Sequence, residues 1–210
     1  MDIEGIFTRI YRENGWFQAD TVSGSGSAIF NTVAIREELP IVIQELGVRS
    51  ILDIPCGDCH WMKELNLPIE HYMGADIVKE IIDTNRQHIT DKRYQFFHWD
   101  ITQTSLPTVD FVLCRDCLVH FALSDAQRTI ENILRSRSRY FATTTFPSVM
   151  SNMDIVTGDW RPINLLKAPF HFPEPMRLIK EHHLWHGEEH TDKSLGVWRV
   201  EDLTSLFRGR

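Results

Sequence analysis

Ser50-Ile51-Leu52-Asp53-Ile54-Pro55-Cys56-Gly57-Asp58 decides the fold. A short apolar run closes on an acid and a tight turn, which is how α/β proteins bring backbone up to a nucleotide-like ligand at the end of the first strand. The dinucleotide fingerprint sets three glycines there so that a pyrophosphate rests on a helix N-terminus. This turn has Gly57 alone, between Asp53 and Asp58, and those charges repel a pyrophosphate. It suits a cationic or neutral ligand.

Outward from that turn the chain alternates strand-like and helix-like runs. Residues 31–46 read as a helix with apolar Val33, Ile35, Leu39, Val42, Ile43 and Leu46, divided or kinked at Pro40 and stopped by Gly47. A strand at 49–54 follows, then a helix near 59–66, strands at 71–76, 94–98 and 109–114, helices at 78–89 and 124–137, and a strand at 139–145. This is the βαβ rhythm of an open, mostly parallel, doubly wound α/β sheet. After 146 the rhythm breaks. Residues 147–176 have no period and read as a substrate lid or substrate wall, and strand-like runs at 177–184 and 194–199 close the chain as an antiparallel pair. The expected whole is one domain over 1–210: a helical cofactor cover (1–46), a cofactor-binding core (47–146), the lid and the C-terminal strands (177–210).

Composition narrows the partners. With 210 residues, 42% of them hydrophobic, the chain can bury one good core. Its formal net charge of -7 gives no general attraction to nucleic acid. The nearest basic patch, Arg135-Ser136-Arg137-Ser138-Arg139, reads as a solvated helix end. No apolar run reaches spanning length and the N-terminus lacks the pattern of a signal peptide, so a soluble, cytoplasmic protein without a membrane partner is expected. Cys56-x-x-Cys59 and Cys114-x-x-Cys117 have zinc-like internal spacing, but residues 60–113 separate them. Reduced, partly buried thiols are the simpler reading, and no dense acidic cluster calls for a metal.

Acids fall where ligands bind in open α/β sheets, outside the carboxyl ends of the strands: Asp53, Asp76, Asp100 and Asp116. Asp76 is placed to accept ribose hydroxyls, and Asp100, between Trp99 and Ile101, to accept an adenine amino group while its neighbours sandwich the ring. S-adenosylmethionine fits, since it has no phosphate and offers a sulfonium, an ammonium and a ribose.

The chain resembles the class I S-adenosylmethionine-dependent methyltransferases. The likeness rests on Leu52 to Asp58, on Gly74-Ala75-Asp76-Ile77, on Trp99-Asp100-Ile101 and on Arg115-Asp116-Cys117-Leu118-Val119-His120. It implies a seven-stranded Rossmann-like sheet with helices on both faces and a cofactor set that includes Pro55, Gly57, Ile77 and Arg115. Pro55-Cys56 departs from the usual Gly-x-Gly. More narrowly, Ser23-Gly24-Ser25-Gly26-Ser27, Thr32 with Arg36, and Trp160-Arg161-Pro162-Ile163-Asn164-Leu165 are similar to the small methyltransferases of bacterial and large algal-virus glycan pathways. That likeness implies O-methylation of a sugar hydroxyl on a glycan or nucleotide-sugar, with a rhamnose-type deoxy-sugar as candidate. Ser23, Ser25 and Ser27 can offer hydroxyls and N–H groups, and Arg36 a guanidinium fork, to the methionine carboxylate.

A sugar hydroxyl needs a base. Asp116 and His120, after the fourth strand, are the candidates, with His171, His182, His183 and Glu181 as alternates on the substrate side. Trp160, Arg161 and Asn164 would stack on and orient the acceptor. The competing readings are a methyltransferase for a small metabolite or protein, and a non-catalytic cofactor-binding protein.

Overall fold

A computed structural model describes residues 2–16, 20–181 and 192–207. Seven strands form one sheet in the order β3-β2-β1-β4-β5-β7-β6. They are β1 (Ser50–Asp53), β2 (His71–Asp76), β3 (Tyr94–His98), β4 (Phe111–Cys114), β5 (Tyr140–Thr145), β6 (Arg177–Lys180) and β7 (Ser194–Arg199). The first five are parallel, and β7 inserts antiparallel between β5 and β6. The sheet is the mostly parallel, seven-stranded one expected, with its antiparallel C-terminal pair.

Strand side chains alternate between two cores. Leu52, Val112 and Phe141 point into one, with α4 (Leu123–Arg135) and α5 (Val200–Phe207). Ile51, Phe111, Leu113 and Ala142 point into the other, against α2 (Val33–Glu45). All four β4 residues are buried, which marks a central strand covered on both faces. Neighbouring Ile81 and Ile82 of α3 (Lys79–His88) divide between the two cores. Each fully buried aliphatic side chain contributes about 1.5–3 kcal/mol, so this two-sided pattern carries the fold. α1 (Ile3–Arg12), N-capped by Asp2, lays Phe7 on the first core.

Several expectations need correcting. Pro40 does not divide α2, which runs as one helix from Val33 to Glu45. The helix expected near 59–66 is a single 3-10 turn, Met62–Glu64; Pro68 and the positive φ of Cys59 leave little room for a regular helix. Another 3-10 turn, Leu118–His120, follows β4. The last described element is α5, where strands were expected to close the chain, with acids in its first turn and Val200 and Leu203 in the core. Of the run 177–184, β6 takes Arg177–Lys180, and positions from 182 onward lie outside the described residues. Among the described residues no helix is long and apolar enough to cross a membrane.

Gly196 in β7 is required by packing. A Cβ there would lie 2.2 Å from the indole of Trp198, which is itself buried and donates to the Pro173 carbonyl at 2.8 Å. Gly196→Ala should therefore cost about 1–3 kcal/mol, read as a lower midpoint in urea unfolding.

Candidate active site

The carboxyl ends of β1, β2 and β4 open into a cavity of about 470 Å³, a size suited to a small ligand. Its floor begins at the turn after β1. Gly57 has φ +52°, and a Cβ there would sit 2.2 Å from Ser23 Oγ, so only glycine lets the N-terminal segment close over the turn. Asp58 fastens that segment. Its carboxylate accepts from Thr21 Oγ1 (2.8 Å), Val22 N (3.1 Å) and Ser23 Oγ (3.0 Å), and its own N–H donates to the Ser23 hydroxyl. It is not among the cavity's lining residues, which corrects the expectation that its charge screens the ligand. Ser23, Ser25 and Ser27 do line the cavity.

Asp53 and Asp76 are buried in the wall. Asp53 accepts from the Tyr72 hydroxyl at 2.5 Å, and burial, opposed by that bond and by Arg115, raises its pKa to about 7. Asp76 accepts from Gly57 N (3.1 Å) and Val78 N (2.9 Å); burial, against those N–H bonds, raises it to about 6. One wall gathers Ile77, Val78 and Ile81, with Trp99, Asp100 and Ile101. Trp99 stacks on Phe97 with centroids 4.5 Å apart. Asp100 is already engaged, accepting from Thr102 N, Thr102 Oγ1 and Gln103 Nε2, as an acid that caps its own turn.

Past β4, the chain turns sharply at Asp116, φ +52°. Arg115 is buried, its guanidinium bonded to both Glu181 oxygens and to the Gly26 carbonyl (2.7 Å) and lying 5.4 Å over Trp61. Asp116 pairs with Lys193 Nζ (2.6 Å) and Arg115 (3.1 Å) and meets the Thr144 hydroxyl at 3.1 Å. Burial pushes this carboxyl up, but Arg115 and Lys193 outweigh it and hold its pKa well below the usual carboxylate range. His120 lines the cavity beside Trp16, with ring centroids 4.8 Å apart. Its Nδ1 lies 2.9 Å from the Asp159 carbonyl. A carbonyl only accepts, so Nδ1 carries the proton and Nε2 keeps the lone pair. Burial holds this imidazole below the ordinary histidine pKa.

Other expected site residues stand elsewhere. Thr32 and Arg36 do not line the cavity; Arg36 folds back on Thr32 Oγ1 and the Ile29 carbonyl, satisfying a helix start. Arg161 is an internal strut, donating to the carbonyls of Met153, Leu118 and Phe121. Asn164 is buried, donating to those of Pro147 and Val149. His171 is exposed on left-handed backbone, away from the cavity. Of the acceptor set only Trp160, 45% exposed, reaches the cavity; His182, like His183, lies outside the described residues. The segment 147–176 is tied down as a wall: Gly158 N and Arg161 N donate to the His120 and Val119 carbonyls. Sequence reasoning missed the aromatic lining of Phe7, Trp16, Trp61, Phe121 and Phe146, which reads as ordinary core, and it missed Lys193, which only the β5–β7 pairing brings near Asp116. The four cysteines are free and buried, and among the described residues no three His, Cys, Asp or Glu side chains gather as a metal-binding group.

A family model described as a methyltransferase domain matches residues 51–138. No curated protein matches the chain. Among solved structures, the Synechocystis magnesium protoporphyrin IX methyltransferase with bound S-adenosylmethionine superposes with a TM-score of 0.65 at 14% identity, covering 95% of this chain and 97% of that one. Human N-acetylserotonin methyltransferase gives 0.62 at 15%, covering 95% of this chain and 60% of its own. An S-adenosylmethionine-dependent methyltransferase from Clostridium acetobutylicum gives 0.58 at 9%, with 80% and 95% covered.

Two outcomes follow from the charges. Asp53 binds its proton more tightly folded than unfolded, so the free protein loses stability as pH rises from about 4 through 7; Asp53→Asn, which keeps an oxygen for Tyr72, should flatten that loss in thermal melts across the range. Lys193→Met leaves Asp116 and Glu181 sharing one cation and should cost about 3 kcal/mol in denaturant unfolding. Residues 51–138 are thus similar to a methyltransferase domain, and the seven-stranded sheet as a whole has the fold of solved S-adenosylmethionine-dependent methyltransferases.

Proposed function

We propose that the protein transfers a methyl group from S-adenosylmethionine to a sugar hydroxyl, with His120 as general base. The observation that carries this reading is the protonation pattern of His120: Nδ1 is committed to the Asp159 carbonyl, and no described residue bonds Nε2. The cavity's donor set fits the cofactor. Gly57 allows close backbone approach, Asp76 offers oxygens to ribose hydroxyls, the apolar wall at Ile77 and Trp99 suits adenine, and the serine segment with Arg115 faces the methionine end. Bound there, the cofactor supplies an electrophilic methyl carbon on a sulfonium.

The chain's own residues align the acceptor and take its proton. Asp116, kept ionised by Arg115 and Lys193, is a weak base and a good hydrogen-bond acceptor, so it orients the hydroxyl. His120 Nε2 then receives the proton as the oxygen attacks. Trp160 presents the flat apolar face on which the C–H surface of a sugar packs. A second reading has its own support: Phe7, Trp16, Phe121 and Phe146 also line the cavity, an aromatic wall equally fit for a planar phenolic acceptor.

His120→Ala should lower kcat by about 10²–10⁴-fold while leaving cofactor affinity by calorimetry unchanged. Activity of the parent protein should rise with pH to a plateau, with the midpoint of the rise below the ordinary histidine pKa, because the base works deprotonated and burial lowers its pKa. Mass spectrometry of deoxy-sugar and phenolic acceptors, each incubated with cofactor, separates the readings. A one-methyl gain on the phenol alone rejects the sugar, and full activity in His120→Ala rejects the base.

A further inference from the structure

The opposite end of the sheet carries a groove unrelated to the cavity. Arg135, Arg137, Arg139 and Arg199 line it. The first three alternate in sequence, and the β5–β7 register, which pairs Tyr140 with Arg199, adds the fourth. All four are exposed. On a chain of net charge -7, this is a local inversion of sign. Glu131 and Glu201 interrupt the rim, and buried Leu134 and Val200 form part of the lining.

We propose that this groove docks an acidic segment of a partner protein, whose carboxylates pair with the guanidinium forks while its aliphatic side chains cover the lining between them. Two arginines are unspent. Arg139 already pairs with Asp110 and stacks on Tyr140, and Arg135 reaches Asn132, but among the described residues Arg137 and Arg199 have no carboxylate partner. Arg137 also stands where an arginine is locally disfavoured. It follows the Ser136 C-cap of α4 with φ +55°, the left-handed position that helices give to Gly or Asn. The chain keeps a long cation there on left-handed backbone, and among the described residues no carboxylate takes up its guanidinium.

Carboxylates fit this rim better than a nucleic-acid backbone. Guanidinium forks match carboxylate geometry bidentately, and a peptide whose acids are spaced by aliphatic residues can place its charges clear of Glu131 and Glu201, where a continuous run of phosphates cannot. The half-buried Tyr140 ring and the aliphatic stems of the arginines add a contact that a peptide with alternating acidic and aliphatic residues uses and a phosphodiester does not.

The test is fluorescence anisotropy at low salt on the full chain, with a labelled short peptide alternating Glu and Leu, a Lys–Leu peptide and a single-stranded oligonucleotide. The Glu–Leu peptide should bind saturably and more weakly as salt rises, and Arg137→Gly with Arg199→Glu should weaken it about tenfold or more. Cofactor affinity should not change. Arg137→Gly alone should melt no lower than the parent, since glycine relieves the left-handed backbone; a lower melting point would make Arg137 a strut of the helix end and overturn its role. The proposal is also overturned by absent saturable binding, by equal binding of the Lys–Leu peptide, by an unaffected double variant, or by tighter binding of the oligonucleotide.

Discussion

The Arg115 guanidinium is the constraint on which the site's assembly depends. It leaves the end of β4 into the interior and is met there by the Glu181 carboxylate just past β6, the Gly26 carbonyl of the N-terminal cover, the Asp116 carboxylate and the face of Trp61. A cation that deep is tolerated only when its donors are taken up, because desolvation otherwise exceeds the Coulombic gain. Satisfying one side chain thus fixes four segments far apart in sequence. Gly26 adds a steric condition: a Cβ on it would lie 2.4 Å from Asp116 Oδ2 and 3.2 Å from Lys193 Nζ. The cover closes against the charge cluster with no atom to spare.

The cover has a second fastening at the other end of the same loop, where Asp58 gathers Thr21, Val22 and Ser23. Between the two, the backbone from Ser25 to Ser27 forms a 3-10 turn, and Asn31 donates to the Ser25 carbonyl. A Gly/Ser-rich stretch that composition alone would make a flexible linker is therefore held at both ends by buried or half-buried charge. Its serines face the cavity because their neighbours are tied.

What could be read in the residues followed from local periodicity. β1 to β5 and the helices between them announce themselves by apolar spacing, and the strand-end acids mark the rim of the cavity without reference to long-range pairing. The misread polar side chains have a different origin. The segment 147–176 has no ladder to satisfy its backbone, so buried polar side chains must do so; Arg161 and Asn164 looked like ligand-binding groups because, chemically, they are donors seeking carbonyls, and those carbonyls are the chain's own. Arg36 is the same case at a helix start. Lys193 was invisible for the reverse reason. Its place beside Asp116 is created by β7 entering antiparallel next to β5, a pairing that no local pattern encodes.

The cavity's charges divide into two kinds with opposite histories. Asp116 is ionised by compensation: Arg115 and Lys193 hold its proton off, so it presents a permanent negative acceptor. Asp53 and Asp76 are buried with weaker compensation, and their pKa values rise to about 7 and about 6. Near neutral pH these two carboxylates stand close to the point where ionisation is balanced against desolvation. A ligand that brings hydroxyl donors or positive charge tips that balance, since it favours the ionised form. The free protein therefore carries a desolvation penalty at these carboxylates, and a ligand that presents hydroxyl donors or positive charge to them would draw part of its affinity from relieving it.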